Sequence, residues 1–187
     1  METKRKIKLW CFASLDGFVA RYDGDMDFVA EHKNPSRHDY GFKAFYDAVG
    51  CGLMNRLQQV NQQSNELWPV ADKPCFILTK ETFPVPPKAQ IQVLLVGAQT
   101  SLMAHITELR NRLGGDIWLI GDHDLISDLL RKDLIDEITV NILPVTIGGG
   151  QPLFISNGKE TRWELVGSRS FDNGVVQSRY RVISDSF

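Results

Sequence analysis

The sequence predicts an α/β fold of three layers: a mixed, mainly parallel sheet flanked by helices and closing with an antiparallel C-terminal strand pair. Three observations predict it. Apolar and aromatic runs of strand length alternate with segments whose apolar residues recur at helical spacing. Asp-Gly, Gly-Gly and proline-rich stretches punctuate those runs. Finally, Asp172-Asn173-Gly174 separates two late strand-like runs with the chemistry of a hairpin turn.

Each element has its own warrant. Ile7 to Ser14 ("IKLWCFAS") is apolar, aromatic and bounded by turn residues, so it reads as a buried strand. Asp16-Gly17 and Asp23-Gly24 are turn signals. A helix is expected from Ser36–Asp39 through Val49, with Phe42, Phe45 and Tyr46 on one side. Cys51 to Met54 forms a short strand. Leu57, Val60, Ser64 and Leu67 then repeat helically, and Pro69 stops them. Pro74 to Thr79 and Ile91 to Gly97 are strands joined by the proline-rich loop "FPVPPKA". Leu102, Ile106, Leu109 and Leu113 make the clearest helical stripe, ended by Gly114-Gly115. "DIWLIG" is a strand, and "DLISDLLRK" a short helix with Leu125, Ile126, Leu129 and Leu130 inward. The alternating "LIDEITVNILP", then "WELVGSRSF" and "VVQSRYRVI", complete the sheet.

The 187 residues suit one domain spanning 1–187, since a chain of this size buries about 70% of its unfolded surface. A net charge of −2 leaves no electrostatic footprint for nucleic acid. No apolar run approaches the length of a membrane span, and the stretch after Lys8 is broken at Asp16 and Arg21, so neither a span nor a signal peptide is expected. Cys11, Cys51 and Cys75 lie scattered in apolar runs, which fits free thiols in a reducing cytoplasm. The four histidines, at 32, 38, 105 and 123, share no metal-ligand spacing, so no metal is expected and each reads as a surface or core residue.

In open α/β sheets, ligands bind beyond the carboxyl ends of strands, near helix N-termini. Four strand ends qualify: Ser14 to Ala20, Met54 to Arg56, Leu78 to Lys80, and Ile120 to Asp122. Arg56, Thr79 and Lys80 supply two cations and a hydroxyl that could hold a phosphate by charge-assisted bonds.

Three stretches carry a resemblance: "SLDGFVA", "IWLIGD" and "LIDEITVNILPVTIGGGQPLF". Through them the chain, from Ile7 to Ile183, resembles the dihydrofolate-reductase-like superfamily, and within it the RibD C-terminal family of riboflavin biosynthesis. The resemblance implies an NADPH-dependent reductase acting on a C=N or similar electrophile of a small heterocycle. It places nicotinamide near Ala13, Gly17 and Val19, and pyrophosphate on the turns after Asn55 and Gly121. The adenosine phosphate falls beside Thr79 and Lys80. Asp39, and secondarily Asp16, are the candidate proton sources; a half-buried Asp39 carboxylate against Phe42 and Trp10 would have a raised pKa. The plainer reading of Asp39 is an N-cap or first-turn acid, and Asp16 reads at least as well as a turn former. The late "ILPVTIGGGQPLFI" stretch suits either a homodimer contact or an internal core strand.

The departures from the family pattern are chemical. Gly-Arg-x-Thr becomes Asn55-Arg56-Leu57-Gln58, and the second glycine of a Gly-Gly turn becomes Asp122, followed by His123 and Asp124. A carboxylate now stands where a diphosphate would dock, or else turns to cap the following helix. The family's lysine and glutamate positions are Trp10 and Ile120 here, which speaks against the riboflavin-pathway substrate itself. A ligand-binding protein with a weakened NADPH site is therefore the alternative to a working reductase. A folate reductase fits less well, because the Leu-Asp-Gly loop and the Gly-Gly-Gly-Gln-Pro-Leu-Phe segment point to the other branch.

Overall fold

The strands of this chain line up in an order their sequence does not announce. The structure, a computed structural model, describes residues 4–55, 73–80, 91–97, 101–156 and 158–183. Strands β1 (Ile7–Ser14), β3 (Val49–Met54), β4 (Cys75–Thr79), β5 (Ile91–Leu95), β6 (Asp116–Leu119) and β7 (Glu137–Leu143) run parallel. β9 (Trp163–Ser170) and β10 (Val176–Val182) form the closing antiparallel pair, with β10 antiparallel to β7. Among the described residues the order is β5-β4-β3-β6-β1-β7-β10-β9, so β1 and β6 sit at the centre.

Strand alternation divides the core between the two faces. On β1, Ile7, Leu9 and Ala13 join the larger cluster with Leu53, Ile117, Leu119, Ile138 and Val140. Helices α3 (Leu102–Asn111) and α4 (His123–Arg131) cover that face with Ile106, Leu109, Leu125, Ile126, Leu129 and Leu130. Each such side chain contributes about 1.5–3 kcal/mol at full burial. The other face carries Trp10, Phe12, Met54, Ile77 and Trp118, packed by α2 (Phe42–Ala48) and by Phe28 of the short α1 (Asp27–Ala30). This is the expected three-layer arrangement.

Two helices are shorter than their sequence pattern suggests. α2 starts at Phe42 rather than near Ser36–Asp39, because Arg37 and Tyr40 have φ of 51° and 52° and Gly41 of 74°, which a right-handed helix cannot contain. α3 ends at Asn111, since Arg112 is extended, and Leu113 of the expected stripe stands in solvent. The helix read around Leu57–Leu67 and the "FPVPPKA" loop fall outside the described residues.

A small antiparallel pair, β2 (Phe18–Ala20) with β8 (Gln151–Pro152), was not expected from the sequence pattern. Glycine at 150 permits it, since a Cβ there would stand 2.2 Å from the Ala20 carbonyl oxygen. The "GGGQPLF" segment is thereby folded onto its own chain, with Leu153 buried. No described helix is long and apolar enough to cross a membrane. Cys51 and Cys75 are buried, Cys11 is partly covered, and all three are free thiols.

Candidate functional site

Beyond the C-terminal ends of β3 and β6 lies a cleft of about 840 Å³. One wall is aromatic. Trp10 and Phe12 leave the same face of β1, their rings 5.1 Å apart. Trp10 lies 4.9 Å from Phe42, Phe12 meets Tyr40 edge-on at 5.3 Å, and Phe42 meets Trp118 at 5.3 Å. Rings so arranged present flat apolar area to a planar ligand. Val19 and Ala20 of β2, with Gln151 and Leu153, also line the cavity. A more open hollow of about 520 Å³, near Phe154 and Trp163, contains none of the residues expected from sequence.

At the inner end stands the turn Ile120-Gly121-Asp122. Asp122 is the N-cap of α4: its Oδ1 accepts from the Asp124 and Leu125 amides, each at 3.1 Å. The same oxygen accepts from Asn55 Nδ2 at 2.7 Å, and Asn55 Oδ1 in turn takes the Asp122 amide at 3.4 Å. Asparagine and aspartate thus bind each other across the ends of two neighbouring parallel strands. Gly121 has a local reason to be glycine: a Cβ there would lie 2.9 Å from Leu125 Cδ2 and 3.1 Å from its Cβ. The turn brings α4 close to the strand it follows.

The outer lip is polar. His38 Nε2 lies 2.7 Å from Asp172 Oδ1, a contact in which the ring nitrogen donates to the carboxylate, and the Ser36 hydroxyl donates to the other Asp172 oxygen. These bonds hold the Asp172 carboxyl below its usual range, the Ser36 bond most and His38 next. The His38 ring packs 5.0 Å from Phe171 and 6.1 Å from Tyr40. Asp39, next along, is exposed and accepts from the Gly41 and Lys43 amides at 2.9 and 3.2 Å. Those two donors push its pKa down, where the sequence reading expected burial to raise it. Asp16 lies farther off. Its carboxylate accepts from the Ile147 and Gly148 amides at 3.2 and 2.8 Å, and its pKa is lowered first by the Ser14 hydroxyl and then by those amides.

The fold therefore brings Val19, Asp39, Asn55, Gly121 and Asp122 around one cavity. Ala13 is instead packed in the main core, and Gly17 occupies a turn with φ of 85°. Thr79 and Lys80 stand at the end of β4, separated from β6 by β3. Arg56 lies outside the described residues. His38, Tyr40 and Gln151 were not legible as cleft residues. Their signal was weak: a His-Asp-Tyr run before an aromatic helix, and the residue after a glycine triplet.

A dinucleotide fits this arrangement only in part. The aromatic cavity suits a flat ring. The anion cradle at α4 does not suit a diphosphate, because its Asp124 and Leu125 donors already serve a carboxylate. Among the described residues no cluster of His, Cys, Asp and Glu is arranged to hold a metal ion.

The family model of the RibD C-terminal domain matches residues 5–177. The uncharacterised Bacillus subtilis protein YwjB is 28% identical over 173 residues, covering 92% of this chain and 95% of its own. A crystal structure of a Shewanella sp. PV-4 protein named for riboflavin biosynthesis superposes with a TM-score of 0.82 at 26% identity, covering 95% of this chain and 99% of that one. Dihydrofolate reductase from Enterococcus faecalis, solved with NADP(H), shares the fold at a TM-score of 0.59 and 11% identity, covering 95% and 96% of the two chains.

Proposed function

The chain belongs to the RibD C-terminal domain family, and on that premise we propose that its aromatic cleft binds a small planar heterocycle and reduces a C=N or similar bond in it. The observation that carries this reading is the cavity itself. Trp10, Phe12, Tyr40 and Phe42 wall it with flat apolar area, while His38 and Asp39 supply polar groups at its outer lip.

Reducing a C=N bond requires a hydride at carbon and a proton at nitrogen. Where NADPH binds, its reduced nicotinamide supplies the hydride. The chain's own residues do the rest. Trp10 and Phe42 hold the heterocycle flat and exclude water from one face, so that the acceptor carbon is presented in a fixed geometry. Asp39, kept ionised by the Gly41 and Lys43 amides, accepts a hydrogen bond from a ring N–H and orients the substrate rather than protonating it. Asp172 holds the His38 ring at the cavity lip through Nε2, and the proton delivered to nitrogen comes from solvent entering there. Asp16 acts at a distance by fixing the Ile147–Gly148 loop, and so the strand pair that lines the cavity.

A second reading has its own observation. The Asn55–Asp122 bond closes the inner end of the site, as expected of a ligand-binding protein with a weakened NADPH site. Two measurements distinguish the readings. Purified protein is titrated with an oxidised pteridine and with a 7,8-dihydropteridine, each of which retains a reducible C=N bond, while tryptophan fluorescence is followed; it is then assayed with each for consumption of reduced nicotinamide, supplied as NADPH or as the mononucleotide. The reductase reading expects quenching that Trp10→Ala abolishes, together with turnover. Quenching without turnover supports the binding protein, and no quenching by either compound refutes both.

A further inference from the structure

The Asn55–Asp122 contact is too complete to be a mere departure from a pattern. Among the described residues, four hydrogen bonds converge on it. Asp122 Oδ1 accepts from the Asp124 amide, the Leu125 amide and Asn55 Nδ2, and Asn55 Oδ1 accepts the Asp122 amide. These amides are the donors with which a helix N-terminus ordinarily grips an anion. Here a carboxylate, covalently part of the helix, holds two of them. Its charge also lies where the charge of an incoming phosphate would have to go. Two bare unit charges at contact distance and an effective dielectric near 20 repel by an amount equal to roughly a thousandfold in affinity, an upper bound that the donors already held by Asp122 reduce. Asp124, two residues later, adds an exposed carboxylate to the same end as the partly buried Asp122.

The glycine beside it does not argue for a phosphate. Gly121 is required by the approach of Leu125, whose Cδ2, Cβ and Cγ would all fall within 3.2 Å of an added Cβ. Steric permission at residue 121 is therefore spent on packing α4.

From this we infer that Asn55 and Asp122 form a built-in latch that excludes diphosphates from the α4 cradle, so that the redox carrier used with this cleft lacks a diphosphate at that position. A carrier of mononucleotide size, with its ring against Trp10, ends in a single phosphate that is free to turn to solvent, away from the latch. A full dinucleotide gains nothing from its diphosphate here. The choice of a nicotinamide ring rests on the reductase reading. Exclusion of the diphosphate rests only on the Asn55 and Asp122 geometry.

The test measures binding of three probes by calorimetry: NADPH, reduced nicotinamide mononucleotide, and inorganic pyrophosphate. Wild-type protein is compared with Asp122→Gly, with Asn55→Gly, and with Asp122→Ser, which keeps an N-cap without the charge. Wild-type protein should bind NADPH within about threefold of the mononucleotide and take up no pyrophosphate. Asp122→Ser and Asp122→Gly should tighten NADPH and pyrophosphate by at least about tenfold and leave the mononucleotide unchanged. Wild-type protein that binds NADPH about a hundredfold tighter than the mononucleotide overturns the latch. So do folded Asp122 variants whose affinity for pyrophosphate does not rise. If the mononucleotide binds to nothing while pyrophosphate binds to the variants alone, the nicotinamide reading fails and the latch stands.

Discussion

Replacing Gly121 by alanine isolates the reason for the glycine at the turn. An ideal Cβ at that position lies 2.9 Å from Leu125 Cδ2, 3.1 Å from its Cβ and 3.2 Å from its Cγ. The terminal methyl can rotate away, but Leu125 Cβ is fixed to the first turn of α4, so the helix itself must shift by a few tenths of an ångström. Overpacking of this kind costs about 1–3 kcal/mol. For a chain of this length that is roughly 2–4 °C of melting temperature per kcal/mol. Leu125→Ala alone leaves a cavity beneath a buried leucine and costs about 2–5 kcal/mol. Combined, the two substitutions remove part of each other's damage, because the Cγ and Cδ2 clashes disappear. A favourable coupling of about 1 kcal/mol is expected. Urea unfolding of the four proteins gives the cycle. A Gly121→Ala cost below about 0.5 kcal/mol, with strict additivity in the double variant, would show that the glycine is not held there by packing.

Other expectations concern the same contacts. Asn55→Ala removes the donor at 2.7 Å from a carboxylate and should destabilise the protein by about 1.5–3 kcal/mol, seen as a lower urea midpoint at constant slope. Asp16 has its folded pKa depressed by the Ser14 hydroxyl and the Gly148 and Ile147 amides. Its stabilising contribution is therefore present above the ordinary carboxylate range and disappears as pH falls through the depressed value. Asp16→Asn should flatten that acid limb of the stability profile, and an unchanged limb would contradict it. Burial pushes the Cys11 and Cys75 thiols up to about 12 and raises Cys51 against the opposing Arg5 guanidinium. A thiol-specific chromogenic reagent at mildly alkaline pH should accordingly label none of the three cysteines in native protein and all three after unfolding.

Strand content was legible because burial on both faces writes near-continuous apolar runs such as "IKLWCFAS" and "PCFILT". Strand order was not, since the parallel pairing of β1 with both β6 and β7 depends on crossovers that leave no local trace. The α2 boundary failed for a local reason: Tyr40 and Gly41 adopt left-handed conformations that the helical spacing of Phe42, Phe45 and Tyr46 cannot reveal. β2 and β8 were invisible because three residues and two residues carry no periodicity. In the site, Asp122 was recognisable as either an obstacle or a cap, and its geometry makes it a cap, on which the proposed exclusion of a diphosphate rests. His38 was hidden because its meaning comes from Asp172, far along the chain, reached only when the β9–β10 hairpin folds back.

Amide chemical-shift mapping with saturating NADPH tests the central claim most directly. If Asp122 holds the α4 donors, the Asp124 and Leu125 amide signals stay in place while the Trp10 indole signal moves. Large shifts of both amides, with loss of the Asn55 side-chain contact, would show the carboxylate displaced by a diphosphate and contradict the account.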